Sequence, residues 1–251
     1  MNKKGFTLAE VLITLAIIGV VAAIVISGLL QNTNNRELTI GAKKAFAVGN
    51  QAIMNAAMTN CGTTDLSCLF SAANSITTIG DAISPQYSIS KNCKASSTAL
   101  GCFNNYNDAI DGSGATLSID TDNGWYKFIT NDGMSIALYT QSSGCTTNFG
   151  IDSNSPATKT CGALYVDVNG AKAPNKMGRD VFAFMITSNK APILYANGGK
   201  EDNIGGGGNQ ALGGKSYWNY NGANLCSLSN ANKSGVTCTG RLLEKGWEMD
   251  Y

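Results

Sequence analysis

The chain has 251 residues, a formal net charge of +1 and no histidine. That balance lacks the basic surplus that points to nucleic acid, although a local patch stays open, and no Ser-His-Asp or Cys-His catalytic site can exist. Charged residues make up only 14% of the chain; Asn, Gly, Ser and Thr take their place, which suits an exported β-rich surface better than a cytosolic helical one.

The chain opens with Met1-Asn2-Lys3-Lys4-Gly5, and an apolar run follows from Phe6 to Leu30. As a helix that run would span about 37 Å, enough to cross a bilayer core of roughly 30 Å. Glu10 is the only charged residue between Lys4 and Arg36. A carboxylate inside such a segment costs about 2.5–3.5 kcal/mol, so it needs a partner and reads as functional. Lys3 and Lys4 place the leader on the cytoplasmic side and the C-terminal bulk outside the cytoplasm. An ordinary signal peptide fits poorly, because the run is too long and the small-residue site at Val25-Ile26-Ser27 is weak. An uncleaved signal anchor is the stronger alternative, but it leaves Glu10 unexplained.

Beyond Gln31–Asn35 the apolar pattern becomes one-sided. Leu38, Ala42, Ala45, Phe46, Gly49, Ile53, Ala56 and Ala57 recur at three- and four-residue steps, with Lys43, Lys44, Asn50 and Asn55 elsewhere. The helix is expected to continue outward and stop near Asn60-Cys61-Gly62. Residues 61–114 read as an irregular, disulfide-pinned connection with short helical turns. The period then becomes two, predicting strands at 115–119, 125–130, 134–140, 163–168, 181–187 and 192–196, with Asn131-Asp132-Gly133 as a hairpin turn. The sheet should be antiparallel, with one face on the helix and the other partly wet. The expected class is α+β, divided as leader 1–5, membrane helix 6–30, amphipathic continuation 31–60 and exported domain 61–251.

Eight cysteines follow the apolar run, an even count that reads as disulfides in an exported domain. Eight cysteines allow about 105 connectivities, and as they fall into four consecutive local pairs, local closure is the expectation: Cys61 with Cys68, Cys93 with Cys102, Cys145 with Cys161, Cys226 with Cys238. No CxxC spacing supports zinc. Gly205–Gly208 followed by Gly213-Gly214-Lys215-Ser216 imitates a phosphate loop, but Asn209 stands where glycine is required and no apolar strand leads in. A glycine-rich loop is the better reading, and no enzyme is expected.

The leader and its junction, Lys3-Lys4-Gly5-Phe6-Thr7-Leu8-Ala9-Glu10, resemble the processing signal of type IV prepilins and of the pseudopilins of type II secretion systems. The resemblance implies cleavage between Gly5 and Phe6 by a prepilin peptidase, N-methylation of Phe6, and Glu10 as the fifth mature residue. A neighbouring subunit's N-terminal amine would then meet Glu10 and set register along a fibre, a use to which a buried ion pair is well suited. It implies a pilus or pseudopilus subunit held first in inner-membrane lipid, then assembled with other such subunits on a membrane platform. A minor tip subunit binding a surface, DNA or cargo, and a signal-anchored protein that never polymerises, are the alternatives.

The stretch Asp167-Val168-Asn169-Gly170, then Pro174-Asn175, Gly178, Asp180 and Phe182, resembles a segment of the globular domain of many bacterial prepilin-like proteins. Asp167, Asn169 and Asp180 supply hard oxygens around a glycine-permitted turn, a set that calcium could use. The same side chains could instead cap backbone amides in a tight Asn-Gly loop, and no cofactor is required. Cys238–Trp247 also looks familial, with Trp247 read as a core plug.

Overall fold

The computed structural model describes residues 5, 7–148, 156–188, 194–196, 226–229, 233 and 235–251. Its contacts divide the chain into two compact units, Met1–Glu37 and Leu38–Tyr251. Helix α1 spans Leu8–Cys61. In the first unit the stretch Leu8–Ile26, 19 residues with no buried position, is long and apolar enough to cross a membrane.

In the second unit α1 turns one-sided. Thr39, Ala42, Ala45, Ala52, Ile53, Ala56 and Ala57 are buried, while Lys43, Lys44 and Asn55 are exposed. The buried face is built of small residues because the backbone itself lies close to the sheet. A Cβ added at Gly49 would stand 2.6 Å from Leu194 Cδ1, and one at Gly41 would stand 2.9 Å from Val168 Cβ. The helix ends at Gly62, whose φ is +66°; its N–H donates to Met58 O at 3.1 Å, closing the last turn in a left-handed cap.

Among the described residues eight strands follow: β1 Ile89–Lys94, β2 Tyr106–Asn107, β3 Thr116–Leu117, β4 Trp125–Thr130, β5 Ser135–Thr140, β6 Thr160–Asp167, β7 Val181–Thr187 and β8 Leu194–Ala196. Six form one sheet in the order β1-β4-β5-β6-β7-β8, with every pair antiparallel. The expected strand at 115–119 does not join it. Only Thr116–Leu117 is extended, and it pairs with Tyr106–Asn107 in a separate two-stranded ribbon. The edge strand β1 was not foreseen, because Ile89-Ser90-Lys91-Asn92-Cys93-Lys94 has no apolar alternation. Its pairing with β4 is irregular in two places. Pro192 and Ile193, expected to begin the last strand, lie outside the described residues, as does the glycine-rich stretch 198–214.

The inward side chains of the sheet, Tyr126, Phe128, Ile136, Leu138, Leu164, Val166, Phe182, Phe184 and Ile186, share one cluster with the buried face of α1. The opposite face is not the partly wet surface expected. Ala137, Ala163, Tyr165, Val181, Ala183 and Met185 form a second core with Phe103, Tyr106, Ile119, Ala157 and Val236. The irregular segments bring enough apolar side chains to cover this face, which is why β6 and β7 are buried along their whole length. Lys127 rises on this side with no exposed surface. Its ammonium donates to Ser96 O at 2.6 Å and to Asp120 O and Asp122 O at 2.8 Å each, so one side chain ties two loops to β4.

The region after α1 is more regular than foreseen. Helix α2, Ile76–Ile83, begins at Ser75, whose hydroxyl accepts from Thr78 N at 3.2 Å. Helix α3, Cys238–Glu244, opens the C-terminal segment. Trp247 follows it and packs on Phe46 of α1 with ring centroids 5.6 Å apart, as a partly buried plug. The four disulfides join Cys61–Cys68, Cys93–Cys102, Cys145–Cys161 and Cys226–Cys238.

Gly80 lies against the ring of Tyr126, and any Cβ there would overlap its Cγ and Cδ2. Gly80→Ala gains about 1 kcal/mol of helix propensity but incurs about 1–3 kcal/mol of overpacking. Steric overlap with a ring fixed by bonds to Asp81, Ser84 and Asn92 should win, giving a net fall in melting temperature. A rise would show that the ring can move.

Three carboxyls give the expected acid response. Tyr126 beside Asp81, Lys233 beside Asp111 and Arg241 beside Asp250 hold these groups below the ordinary aspartate range. Groups with depressed folded values contribute stability above the unfolded value of about 4 and lose it as pH falls through the folded one. Melting temperature should therefore drop below about pH 4, and Asp111→Asn should flatten that slope.

Candidate functional site

Two places carry the residues singled out in the sequence. The first is the start of α1. Gly5 is described and Phe6 is not, so the junction itself lies outside the described residues. Glu10 sits in the first turn. Its Oε2 accepts from Thr7 N and from Thr7 Oγ1, each at 2.8 Å, and its own N–H donates to Thr7 Oγ1 at 3.3 Å. Thr7 and Glu10 thus form a reciprocal capping box, in which the threonine satisfies one orphan amide and the glutamate another. The T-x-x-E spacing that carries this box is legible at Thr7-Leu8-Ala9-Glu10, where it coincides with the processing-signal residues.

The second place is the connection between β6 and β7, residues 168–180, anchored by the last residue of β6 and the residue before β7. Asp167 and Asp180 both have no exposed surface. Asp180 organises the loop: its Oδ2 accepts from Asn175 N and its Oδ1 from Lys176 N, both at 2.7 Å, while its carbonyl accepts from Val168 N at 2.9 Å. Asn169 Nδ2 donates to Ala173 O at 3.2 Å, and Asn169 N to Asp167 Oδ1 at 3.3 Å. The structure therefore brings Asp167, Asn169 and Asp180 together and adds Asn175, whose φ is +48°. The Pro174-Asn175 pair alone carries no signal for this left-handed position. Burial, with the neighbouring Asp180 carboxylate second, raises the Asp167 carboxyl to about 8. Burial also raises Asp180, against the backbone N–H donors that favour its charge.

Other segments converge on this loop. Asn107 N donates to Asn175 O at 2.9 Å, and Met177 N to Asn107 O at 2.8 Å. Lys176 Nζ donates to Asp111 O at 3.1 Å and Tyr251 OH to Gly178 O at 2.7 Å. Beside it, Asn104, Asn105, Asp120 and Asn175 line an open polar recess. Among the described residues no group of three or more His, Cys, Asp or Glu side chains is placed to hold a metal ion.

Residues 1–26 match the family model of the prokaryotic N-terminal methylation motif. The chain carries a prepilin-type signal. This is the cleavage and methylation signal of type IV pilins and pseudopilins, and it coincides with the leader, the capping box and the apolar start of α1. The match ends at residue 26 and says nothing of the β-domain. No curated protein and no solved structure matches the chain. The signal fits membrane anchoring through the apolar helix and points to a structural protein rather than an enzyme.

Gly178 marks how tightly the loop is held. Its φ is +82°, and a Cβ there would stand 2.6 Å from Cys238 Sγ. Gly178→Ala combines left-handed strain with that overlap and should cost at least about 2 kcal/mol. Thermal melts would check this, and a loss below about 0.5 kcal/mol, the scale of an ordinary surface change, would mean that the contact yields.

Proposed function

We propose that the chain is the precursor of a structural subunit of a type IV pilus or of a type II secretion pseudopilus, processed between Gly5 and Phe6. The observation that carries this reading is the methylation-motif match over residues 1–26, joined to a lone carboxylate at Glu10 on an otherwise apolar helix. The divisions at work are the leader 1–5, the helix 6–30, its continuation 31–60 and the exported domain 61–251. The helix stores the subunit in the inner membrane with the domain outside the cytoplasm. Prepilin peptidase frees and methylates Phe6, and an assembly platform moves the subunit into the fibre. Its apolar surface, dehydrated in lipid, is dehydrated again among neighbouring helices, so the transfer leaves little apolar area exposed to water.

In this reading Glu10 exchanges the Thr7 donors for the N-terminal amine of a neighbouring subunit, which fixes the stagger. A minor tip subunit is the second reading, favoured by the polar recess beside Asn104 and Asn105. Abundance in sheared filaments separates the two, because a tip subunit is scarce.

Mass spectrometry of the mature N-terminus, from cells with and without their prepilin peptidase, tests the proposal. The expected result is a peptidase-dependent start at Phe6. An intact Met1, or a start near Gly28, would overturn it. Glu10→Leu should insert in the membrane normally and enter filaments at least tenfold less than the parent, and undiminished incorporation would remove Glu10 from the assembly mechanism.

A further inference from the structure

We propose that the polar recess beside the β6–β7 connection is a binding site for a neutral saccharide. The recess has a volume of about 440 Å³ and is lined from three separate segments, 103–105, 118–121 and Asn175. That size falls within the range of about 300–1,000 Å³ usual for ligand sites. Asn104, Asn105 and Asn175 contribute amides to the lining, and Ser118 and Thr121 contribute hydroxyls. An amide presents an acceptor and two donors side by side, and a hydroxyl serves as either. Adjacent hydroxyls on a sugar ring ask for that mixture. Among the described residues, no hydrogen bond that holds the fold uses the side-chain amides of Asn104 or Asn105. They stand at the recess uncommitted.

The lining excludes the other ligand classes. It holds no basic residue, and the lysines around it are turned to backbone carbonyls: Lys91 Nζ to Leu100 O at 2.7 Å, Lys127 Nζ to Ser96 O at 2.6 Å and Lys176 Nζ to Asp111 O at 3.1 Å. A phosphate or carboxylate would therefore meet no counter-charge. The one acidic side chain is Asp120, whose oxygens already accept from Gly101 N, Cys102 N and Phe103 N. Phe103 is the one apolar residue of the lining and has 1% of its surface exposed, so an apolar ligand gains little. The segments are also fixed in advance. The Asp120 carboxylate ties 118–121 to the start of 103–105, and the Cys93–Cys102 bridge anchors the same turn. Ser118 Oγ and Thr121 Oγ1 lie 3.3 Å apart. Pairing of Tyr106 with Leu117 brings Asn105 and Ser118 to one end of the β2–β3 ribbon. Asn107 N, donating to Asn175 O at 2.9 Å, joins the third segment. Polar groups held this way lose little freedom when a ligand arrives. The site lies far along the chain from Gly5, so loss of binding and loss of processing are separate outcomes.

The test titrates the full chain, in a detergent without a sugar headgroup, with lactose, maltose and chitobiose, and with sialyllactose as the anionic counterpart. Saturation-transfer NMR and calorimetry supply the readout. The expected result is saturable binding of at least one neutral disaccharide at millimolar concentration or below, with sialyllactose bound no more tightly than lactose. Asn104→Ala combined with Asn105→Ala removes two amides on which no fold contact depends. That variant should melt like the parent and bind at least about tenfold more weakly, the loss expected from two neutral hydrogen bonds. Should its melting differ, Ser118→Ala combined with Thr121→Ala supplies the same comparison. Absence of saturable binding for all three neutral disaccharides overturns the proposal. Undiminished binding by a variant that melts like the parent does so as well, and tighter binding of sialyllactose overturns the assignment to a neutral ligand.

Discussion

The second unit depends on the burial of the Asp180 carboxylate at the mouth of β7. A carboxyl group without exposed surface persists only when its lone pairs are met, and Asn175 N and Lys176 N meet them at 2.7 Å. That requirement fixes the connection's path, and the path fixes its neighbours. Met177 is delivered to the second core, Gly178 to the Cys226–Cys238 bridge and Val168 to the backbone of α1 at Gly41. The C-terminus closes on the same loop through Tyr251. Helix, sheet and tail therefore meet at one hydrogen-bonded knot, in addition to their apolar contacts.

The two faces of the sheet are covered by different means. Alanine and glycine on α1 let a helix backbone approach one face closely, so large sheet residues such as Phe182, Phe184 and Leu164 fill the space. The other face has no helix of comparable length among the described residues. It is sealed by single side chains from irregular segments, and those segments need anchors of their own. Lys127 is one anchor, offering its ammonium to the carbonyls of Ser96, Asp120 and Asp122. Asp120 is another, with its carboxylate accepting from Gly101 N, Cys102 N and Phe103 N at 2.5, 3.1 and 3.2 Å. Fixed charges here set backbone that no ladder holds.

What could be read from the sequence follows from these mechanisms. The period-two reading found β4, β5, β6 and β7, although two dry faces make β6 and β7 nearly continuous apolar runs rather than alternating ones, and the four disulfides followed local spacing because each pins a short excursion. The edge strand β1 escaped because its partner lies beyond it in the chain and its outward residues face water. The covered second face escaped because Phe103, Tyr106 and Ile119 reach it from segments without period, and only tertiary contact reveals their target. At the functional sites the residue types were legible and their geometry was not. Asp167, Asn169 and Asp180 stood out as oxygen donors, while the role of Asn175 required a left-handed backbone that composition does not display. The capping box was legible in full at Thr7-Leu8-Ala9-Glu10, but a stronger motif over the same residues drew attention away from it.

That overlap bears on how a carboxylate tolerates an apolar helix. The insertion cost of a charge is about 2.5–3.5 kcal/mol at mid-membrane, and local donors offset part of it. Thr7 gives two donors at 2.8 Å to Glu10 Oε2, and the positive end of the helix dipole lies in the same turn. In the proposed membrane-stored state, position at the first turn rather than deeper in the run lowers the cost further by keeping the group near the interface. The same local contacts hold Glu10 in one conformation without using all its lone pairs. A carboxylate has about four acceptor sites, so an incoming amine can join the Thr7 donors before displacing them. In the proposed fibre the box is therefore the waiting state of the ion pair, and the two readings of Glu10 describe successive stages of one group.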